Sequence, residues 1–460
     1  MTDDKNNDNK IIMWLLTGDI GGTNSRMSIY DAMKDPDGKS PLSVITYRNQ
    51  DYLKEKRDGI FEQNIIAPFI KQTWTIEQEK SGNTLSLKNL TIVSCLAIAG
   101  PVRNNSVWMS NLHNIIIDGT AISNGTYGNG DPFLERITTC KIINDFVAQG
   151  YGCLTLQPEE VKELTPNPKV AFPKPDANGP KVCVGAGTGL GECYLTPSNS
   201  GDDDSGGDYS CFPSEGGHVE YAPRNETEYK LWNYLRKKFN YQNRISVERI
   251  VSGPGLANCY EFLSNEYPDK VNKIIHDEFV TAGDMKGKVV AENAAKLDGS
   301  LCHEAMNIMM TAYGSEVGSA AIKFIPTGGM YVTGGLTPKN IQFIHSTTGD
   351  SPFLKAYYDK GRVTPILDTI PLYAVLVEDL GIRGAHYNAK MVRLLLRIYV
   401  WLFVCVLMRL ESFLAFFVSV VVRLKPKTIF FFHSATAFRN TKNSLVVAQR
   451  RKQVVVHLTF

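Results

Sequence analysis

The chain has 460 residues, enough for two or three well-buried domains, and its 43% hydrophobic and 21% charged residues are ordinary for a globular protein. Its net charge of +2 hides an asymmetry: residues 391–460 carry eleven Lys/Arg and one acid, Glu411, which leaves residues 1–390 at −8, with no electrostatic ground for binding nucleic acid. Nine scattered cysteines without a CxxC pair argue against a disulfide framework or a thiolate metal site and fit a reducing compartment, the cytoplasm.

Residues 1–10, MTDDKNNDNK, are polar and expected to be disordered. The apolar run 11–16 is too short for a signal-peptide core and passes straight into TGDIGG. Over 11–30, IIMWLLTGDIGGTNSRMSIY predicts a buried strand, a glycine turn and a second strand. LTIVSCLAIAGPV (90–102) predicts another buried strand, ending at Gly100-Pro101. TTCKIINDFVAQGYG (138–152) reads as a short strand running into a helix, with Asn144 and Asp145 near its start. KVCVGAGTGLGECYL (181–195) repeats the pattern of strand, glycine turn and strand. Two such hairpins, one opening each half, imply a duplicated domain. NSGDDDSGGDYS (199–210) reads as an acidic loop at a hairpin tip, and FPSEGGHVE (212–220) sets Glu215 and His218 on a flexible double-glycine spacer. Helices are predicted over 227–239 and 301–325, and strand, Gly-Gly turn and helix over 328–341. The fold class is therefore α/β, with a cleft between two halves.

The glycine turns carry the first chemical signal. In GDIGGTNSR the glycines let backbone N–H groups come close to phosphate oxygens, and a nearby hydroxyl and carboxylate suit Mg²⁺-bound phosphate. A lone Gly-Gly is equally a plain hairpin turn; GAGTGLG as a second cradle weakens that reading. Neither stretch is a dinucleotide fingerprint, since the third glycine would fall at Leu190. Nor is there a P-loop, because Gly38-Lys39-Ser40 needs a glycine where Met33 stands.

GDIGGTNSR, INDF, GAGTGLG, SEGGHVEYAP and SVERIVSGPGL, in this order, resemble the bacterial-type glucokinase family of the sugar kinase/actin-like ATPase superfamily. The resemblance runs from about residue 12 to DLGIRGAH at 379–386. It implies two actin-like (ribonuclease H-like) domains, a small one over 11–145 and a large one over 146–390 whose last helix can return to the first. It also implies ATP and Mg²⁺ in the cleft between them, and transfer of the γ-phosphoryl to O6 of D-glucose. Asp145 would be the base, and Asn144, Asp145, Glu215, His218 and Glu248 would bind the sugar. Asn111, in WMSNLHN, matches the family pattern loosely because Ser110 replaces a threonine; it is carried as a further sugar contact. Gly18, Asp19, Ile20, Gly21, Gly22, Thr23 and Asn24, with Gly187, Thr188 and Gly189, would hold the triphosphate, Asp19 lying near Mg²⁺. Gly334 and Gly335 would meet the adenosine.

Plainer roles compete at each position. Asp145 could cap its helix, Glu248 could pair with Arg244 or Arg249, and Gly334-Gly335 could be a simple strand-to-helix turn. His218 could ligate zinc, as in the related repressor/open-reading-frame/kinase family, but the cysteine cluster of that site is missing. For the whole chain, the alternatives are a kinase for another hexose or a sugar-sensing regulator without turnover. A homodimer is left open.

The family pattern stops before residues 391–460. Their apolar runs 398–408 and 412–422 are each eleven residues long, short of the roughly twenty a membrane helix needs. Three readings stand: a membrane-associating extension, a poorly packed appendage, and translated non-coding sequence. Membrane contact follows only from the first, and the mass of the native chain decides whether the tail is there at all.

Overall fold

A computed structural model describes residues 11–109, 112–165, 171–198, 209–345, 351–394, 438–440 and 444–446. Asn111, the N-terminal decapeptide, most of the acidic loop and most of the tail lie outside the described residues.

The chain opens with β1 (Ile12–Ile20), β2 (Asn24–Asp31), β3 (Ser43–Arg48) and β4 (Leu90–Ile98). A small sheet follows, made of β5 (Val102–Arg103), β6 (Ser106–Met109) and β7 (Ile115–Asp118), and then β8 (Ile137–Asn144). The main sheet of this half has the order β3-β2-β1-β4-β8, with β1, β4 and β8 parallel. The second half supplies β9 (Val161–Glu163), β10 (Lys181–Ala186), β11 (Leu190–Pro197), β12 (Tyr209–Ser214), β13 (Gly329–Thr333) and β14 (Leu372–Val375). These pair in the order β12-β11-β10-β13-β14-β9. Leaving out the edge strand β9, the second sheet repeats the order of the first. The duplication expected from two glycine-turn hairpins is thus present in the topology.

The central strands read as unbroken apolar runs because both of their faces are covered. In β1, Trp14, Leu16 and Ile20 join one core with Phe69, Ile70 and Trp74 of the helix Ala67–Lys80. Leu15 points the other way, into a core shared with Val147 and Ala148 of the helix Asp145–Cys153 and with Ala385 and Ala389 of the helix over 380–394. In β10, Val182, Val184 and Ala186 face the large core built around the helices Gly253–Glu266 and Leu301–Phe324, while Cys183 faces the opposite side. This period of two fixes which side chains of each hairpin can reach the site. All eight described cysteines are free thiols. Among the described residues no helix is long and apolar enough to cross a membrane. The six described residues beyond 394 form a short antiparallel pair, Phe438–Asn440 with Ser444–Val446.

Candidate active site

The first hairpin turns at residues 21–23, and its carbonyls are held by a residue from outside it. Asn49, fully buried, donates from Nδ2 to the carbonyls of Gly21 (2.8 Å) and Gly22 (3.3 Å). Its backbone N–H donates to Thr23 O at 2.8 Å, and its Oδ1 accepts from Ser25 Oγ at 2.7 Å. Gly21 N donates to Asn24 O at 2.9 Å and the carbonyls are turned to Asn49, so the N–H groups of Gly22 and Thr23 are the ones the turn has to offer an anion. Asp19 sits at the end of β1, directly across from Arg26 of β2. Burial, followed by the charge of Asp145, pushes its carboxyl up to about 6, with Arg26 opposing. The space beside its Oδ2 is left by Gly381, where a Cβ would stand 2.5 Å away. Gly18 and Ile20 lie inside β1, and the Ile20 side chain is wholly in the core. Any contact of Ile20 with a phosphate would therefore be through its backbone, not its side chain.

At the end of β8 the chain turns straight into the helix Asp145–Cys153. The cap of this helix is Asn144, not Asp145. Asn144 Oδ1 accepts from Phe146 N (2.9 Å) and Val147 N (3.2 Å), and its Nδ2 donates to Gly100 O at 3.1 Å. The Asn144 oxygen is thereby committed to the fold, and one amide hydrogen remains for a ligand. Asp145, the first helical residue, accepts from Phe146 N at 3.0 Å. Burial raises its pKa, with a smaller push from the charge of Glu215.

Phe146 seats this helix. Gly185 and Gly191 are cross-strand partners on β10 and β11, and the ring lies over both: a Cβ on Gly191 would stand 2.0 Å from it and one on Gly185 3.1 Å. A Cβ on Gly185 would also stand 2.3 Å from Thr333 Oγ1, so the outer glycines of GAGTGLG make room for packed side chains, a correction to reading the full 185–191 stretch as a phosphate cradle. The turn proper is Gly187, Thr188 and Gly189, closed by Gly187 N to Gly189 O at 2.8 Å. Gly253 N donates to Gly187 O at 2.8 Å, which brings the Ser252-capped start of the helix Gly253–Glu266 against the turn.

Three of the predicted sugar residues meet here. Glu248 Oε2 accepts from Leu190 N at 3.0 Å, and its Oε1 lies 3.9 Å from His218 Nδ1. The other ring nitrogen, Nε2, lies 3.8 Å from Glu215 Oε2. The imidazole thus stands between two carboxylates, all three side chains reaching solvent. The Gly216–His218 segment is a 3-10 turn, and its glycines serve close packing. A Cβ on Gly216 would meet Glu192 Oε2 at 1.9 Å, and one on Gly217 would meet the Leu190 carbonyl oxygen at 1.9 Å. The expectation of a flexible spacer is corrected: the turn is wedged against β11.

Gly334 follows β13 with φ +80, and a Cβ there would fall 2.3 Å from Ala186 O. Gly334-Gly335 therefore adjoins the second hairpin turn. The buried Tyr313 hydroxyl ties these pieces together, 3.2 Å from Ala186 N and Val184 O and 3.1 Å from Thr333 O. Thr333 Oγ1 donates to Gln149 Oε1 at 3.1 Å, linking β13 to the helix that begins at Asp145. Asp19, Asp145, Glu215, His218, Glu248 and the three glycine turns are thus brought together; Asn111 lies outside the described residues. Among the described residues, no group of three or more acids, histidines and cysteines forms a metal cage. Sequence reasoning missed Asn49, which lies 27 and 28 positions from the two glycines it holds, in a stretch without a motif. It also missed Gly381, although DLGIRGAH had been singled out.

A family model described as Glucokinase matches residues 16–392. The chain is 33% identical over 388 residues to a glucokinase of Synechocystis sp., covering 80% of this chain and 96% of that relative. Its fold is similar to that of a glucokinase from Balamuthia mandrillaris crystallised with glucose (TM-score 0.60, 21% identity, 82% of this chain and 94% of the other). It is likewise similar to a glucokinase from an Antarctic psychrotroph (TM-score 0.55, 20% identity, 82% and 98% covered).

Proposed function

The chain belongs to the glucokinase family, and on that premise we propose that it transfers the γ-phosphoryl of ATP to O6 of D-glucose, giving glucose 6-phosphate and ADP. The observation that carries the residue assignment is the position of Asp145. It opens a helix at the end of β8, an edge strand of the first sheet, within the electrostatic reach of both Asp19 and Glu215. Asp145 takes the O6 proton as O6 bonds to the γ-phosphorus, and the bond from phosphorus to the bridging oxygen breaks with its electron pair going to ADP. Its raised pKa makes it a stronger base than an exposed aspartate. The free amide hydrogen of Asn144, with Glu215, His218 and Glu248, orients the hexose; Asn111 is assigned to the same pocket. The N–H groups of the first turn, with Gly187, Thr188 and Gly189, hold the triphosphate, and Gly334 and Gly335 border the adenosine.

Asp19 fits Mg²⁺. It is a hard, buried carboxylate on which the nearby charge of Asp145 outweighs that of Arg26, and Mg²⁺ is commonly held by one or two carboxylates together with substrate phosphates. When bound it would neutralise charge on the β- and γ-phosphates. The two sheets are assigned to two lobes, small and large, whose closure excludes water and so limits ATP hydrolysis. The free thiols fit a cytoplasmic enzyme.

Replacing Asp145 by Ala tests the assignment. Because the helix cap rests on Asn144, the fold is expected to survive. Turnover should fall by about 10²–10⁴-fold in a coupled assay across hexoses, while glucose binding by calorimetry persists. Phosphorylation at a near-normal rate refutes Asp145 as the base.

A further inference from the structure

Behind the double-glycine turn lies an acid that no motif singles out. Glu192, on β11, is 4% exposed, and its Oε1 has no hydrogen-bond partner. It pairs across the sheet with Ser214, the residue just before Glu215, and Ser214 Oγ accepts from Gly216 N at 3.0 Å. The Glu192 carboxyl fills the space beside Gly216: a Cβ on that glycine would stand 1.9 Å from Oε2, 2.4 Å from Cδ and 3.0 Å from Oε1. Few positions in the chain offer so little clearance.

We propose that Glu192 is a positioning residue for the sugar, its buried carboxyl being the floor against which Gly216 packs and by which Glu215 and His218 are aimed. The inference rests on the sugar-binding role given above to Glu215 and His218.

The floor holds best as the neutral acid, because an uncharged carboxyl can be buried beside a backbone with far less penalty than a carboxylate. Burial, and then the charge of Glu316 on the helix Leu301–Phe324, push its pKa up to about 8. Lys323 of the same helix opposes this, and Cys183 of β10 adds to it from the opposite face of the sheet; Glu316 and Lys323 are the charged groups on the side of Glu192. Lys323 Nζ itself lies 3.8 Å from Glu316 Oε1. Above that range the ionised carboxylate, lacking a donor for Oε1, draws toward solvent or Lys323 and releases the turn. Affinity for the hexose falls, while the nucleotide turns at 21–23 and 187–189 stay as they were.

The test is the pH dependence, from 6.5 to 9.5, of KM for glucose and KM for ATP, with glucose affinity measured by calorimetry. In the wild type the glucose KM should rise about tenfold across the range, equivalent to about 1.4 kcal/mol, with the ATP KM flat. Glu192→Gln, isosteric with the neutral acid, should flatten the glucose profile. Two variants outside the turn give an independent readout. Glu316→Gln should move the rise to lower pH, and Lys323→Met to higher pH. A Glu192→Gln profile that matches the wild type, or opposite-sign variants that leave the midpoint where it is, overturns the inference. Absence of glucose binding at every pH instead overturns the sugar reading and takes this inference with it.

Discussion

Gly191→Ala is the sharpest probe of how the helix that begins at Asp145, the proposed base, is seated. A Cβ at this position would lie 2.0, 2.1 and 2.5 Å from three ring carbons of Phe146. Carbon–carbon contact requires about 3.5 Å, so the ring has to withdraw by about 1.5 Å. Phe146 is the residue after Asp145 in the first turn of the same helix, and the shift is passed to the carboxylate. Misplacing a reacting group by about 1 Å is worth on the order of 10²-fold in rate. Overpacking of this kind costs about 1–3 kcal/mol of stability. The assay is steady-state kcat with glucose and ATP, read beside a urea titration. A fall of roughly a hundredfold is expected, and adding Phe146→Leu, which removes the clashing ring atoms, should recover most of it. Wild-type kcat in Gly191→Ala refutes the reasoning, and so does a double variant no faster than the single one.

Asn49→Ala removes the two amide bonds that hold the first turn and should raise the KM for ATP about tenfold, equivalent to about 1.4 kcal/mol. The KM for glucose should hold steady; equal rises in both would make Asn49 a general fold residue. His386 packs on Tyr30 at 4.5 Å, and burial lowers its pKa to about 4, with Lys390 assisting and Asp35 and Asp37 opposing. The folded state holds the neutral ring, so this contribution is complete above the ordinary value of 6.5 and is lost as pH falls toward 4. At about 1.4 kcal/mol per pH unit that is on the order of 3 kcal/mol. Urea titrations at pH 7 and pH 4 should show a correspondingly smaller acid loss in His386→Phe, and equal losses in the two proteins would sink the assignment.

The central strands were legible in the sequence because burial on both faces writes itself as a mainly apolar stretch, as in 11–16 and 90–98. The junction at Asn144-Asp145 was legible because a capping side chain and a following acid mark a helix start. Which of the two caps was not, since either side chain can accept from the same N–H groups; only the bonds from Phe146 and Val147 to Asn144 decide it. Asn49 and Glu192 were invisible for a different reason. Each acts on backbone atoms brought near by strand pairing, and no residue spacing encodes that proximity.

The glycines show most clearly where a motif stops being informative. A glycine in a sequence records that a Cβ is excluded, but not whether the backbone angle or a neighbouring atom excludes it. Gly334, at φ +80, is demanded by its backbone. Gly185, Gly191, Gly216 and Gly217 are absent from the positive-φ residues, and each is demanded by what lies beside it. The neighbours differ in kind: Phe146 and Glu192 are side chains that another substitution could shorten, whereas the atom beside Gly217 is the carbonyl oxygen of Leu190. A Cβ at 191 or 216 can therefore be accommodated by a change elsewhere in the chain. At 217 room can come only from backbone, by moving the turn or β11, and β11 also carries the hydrogen bond from Leu190 N to Glu248. The Gly216–His218 turn is thus held most rigidly at Gly217, where shortening a side chain cannot relieve the contact.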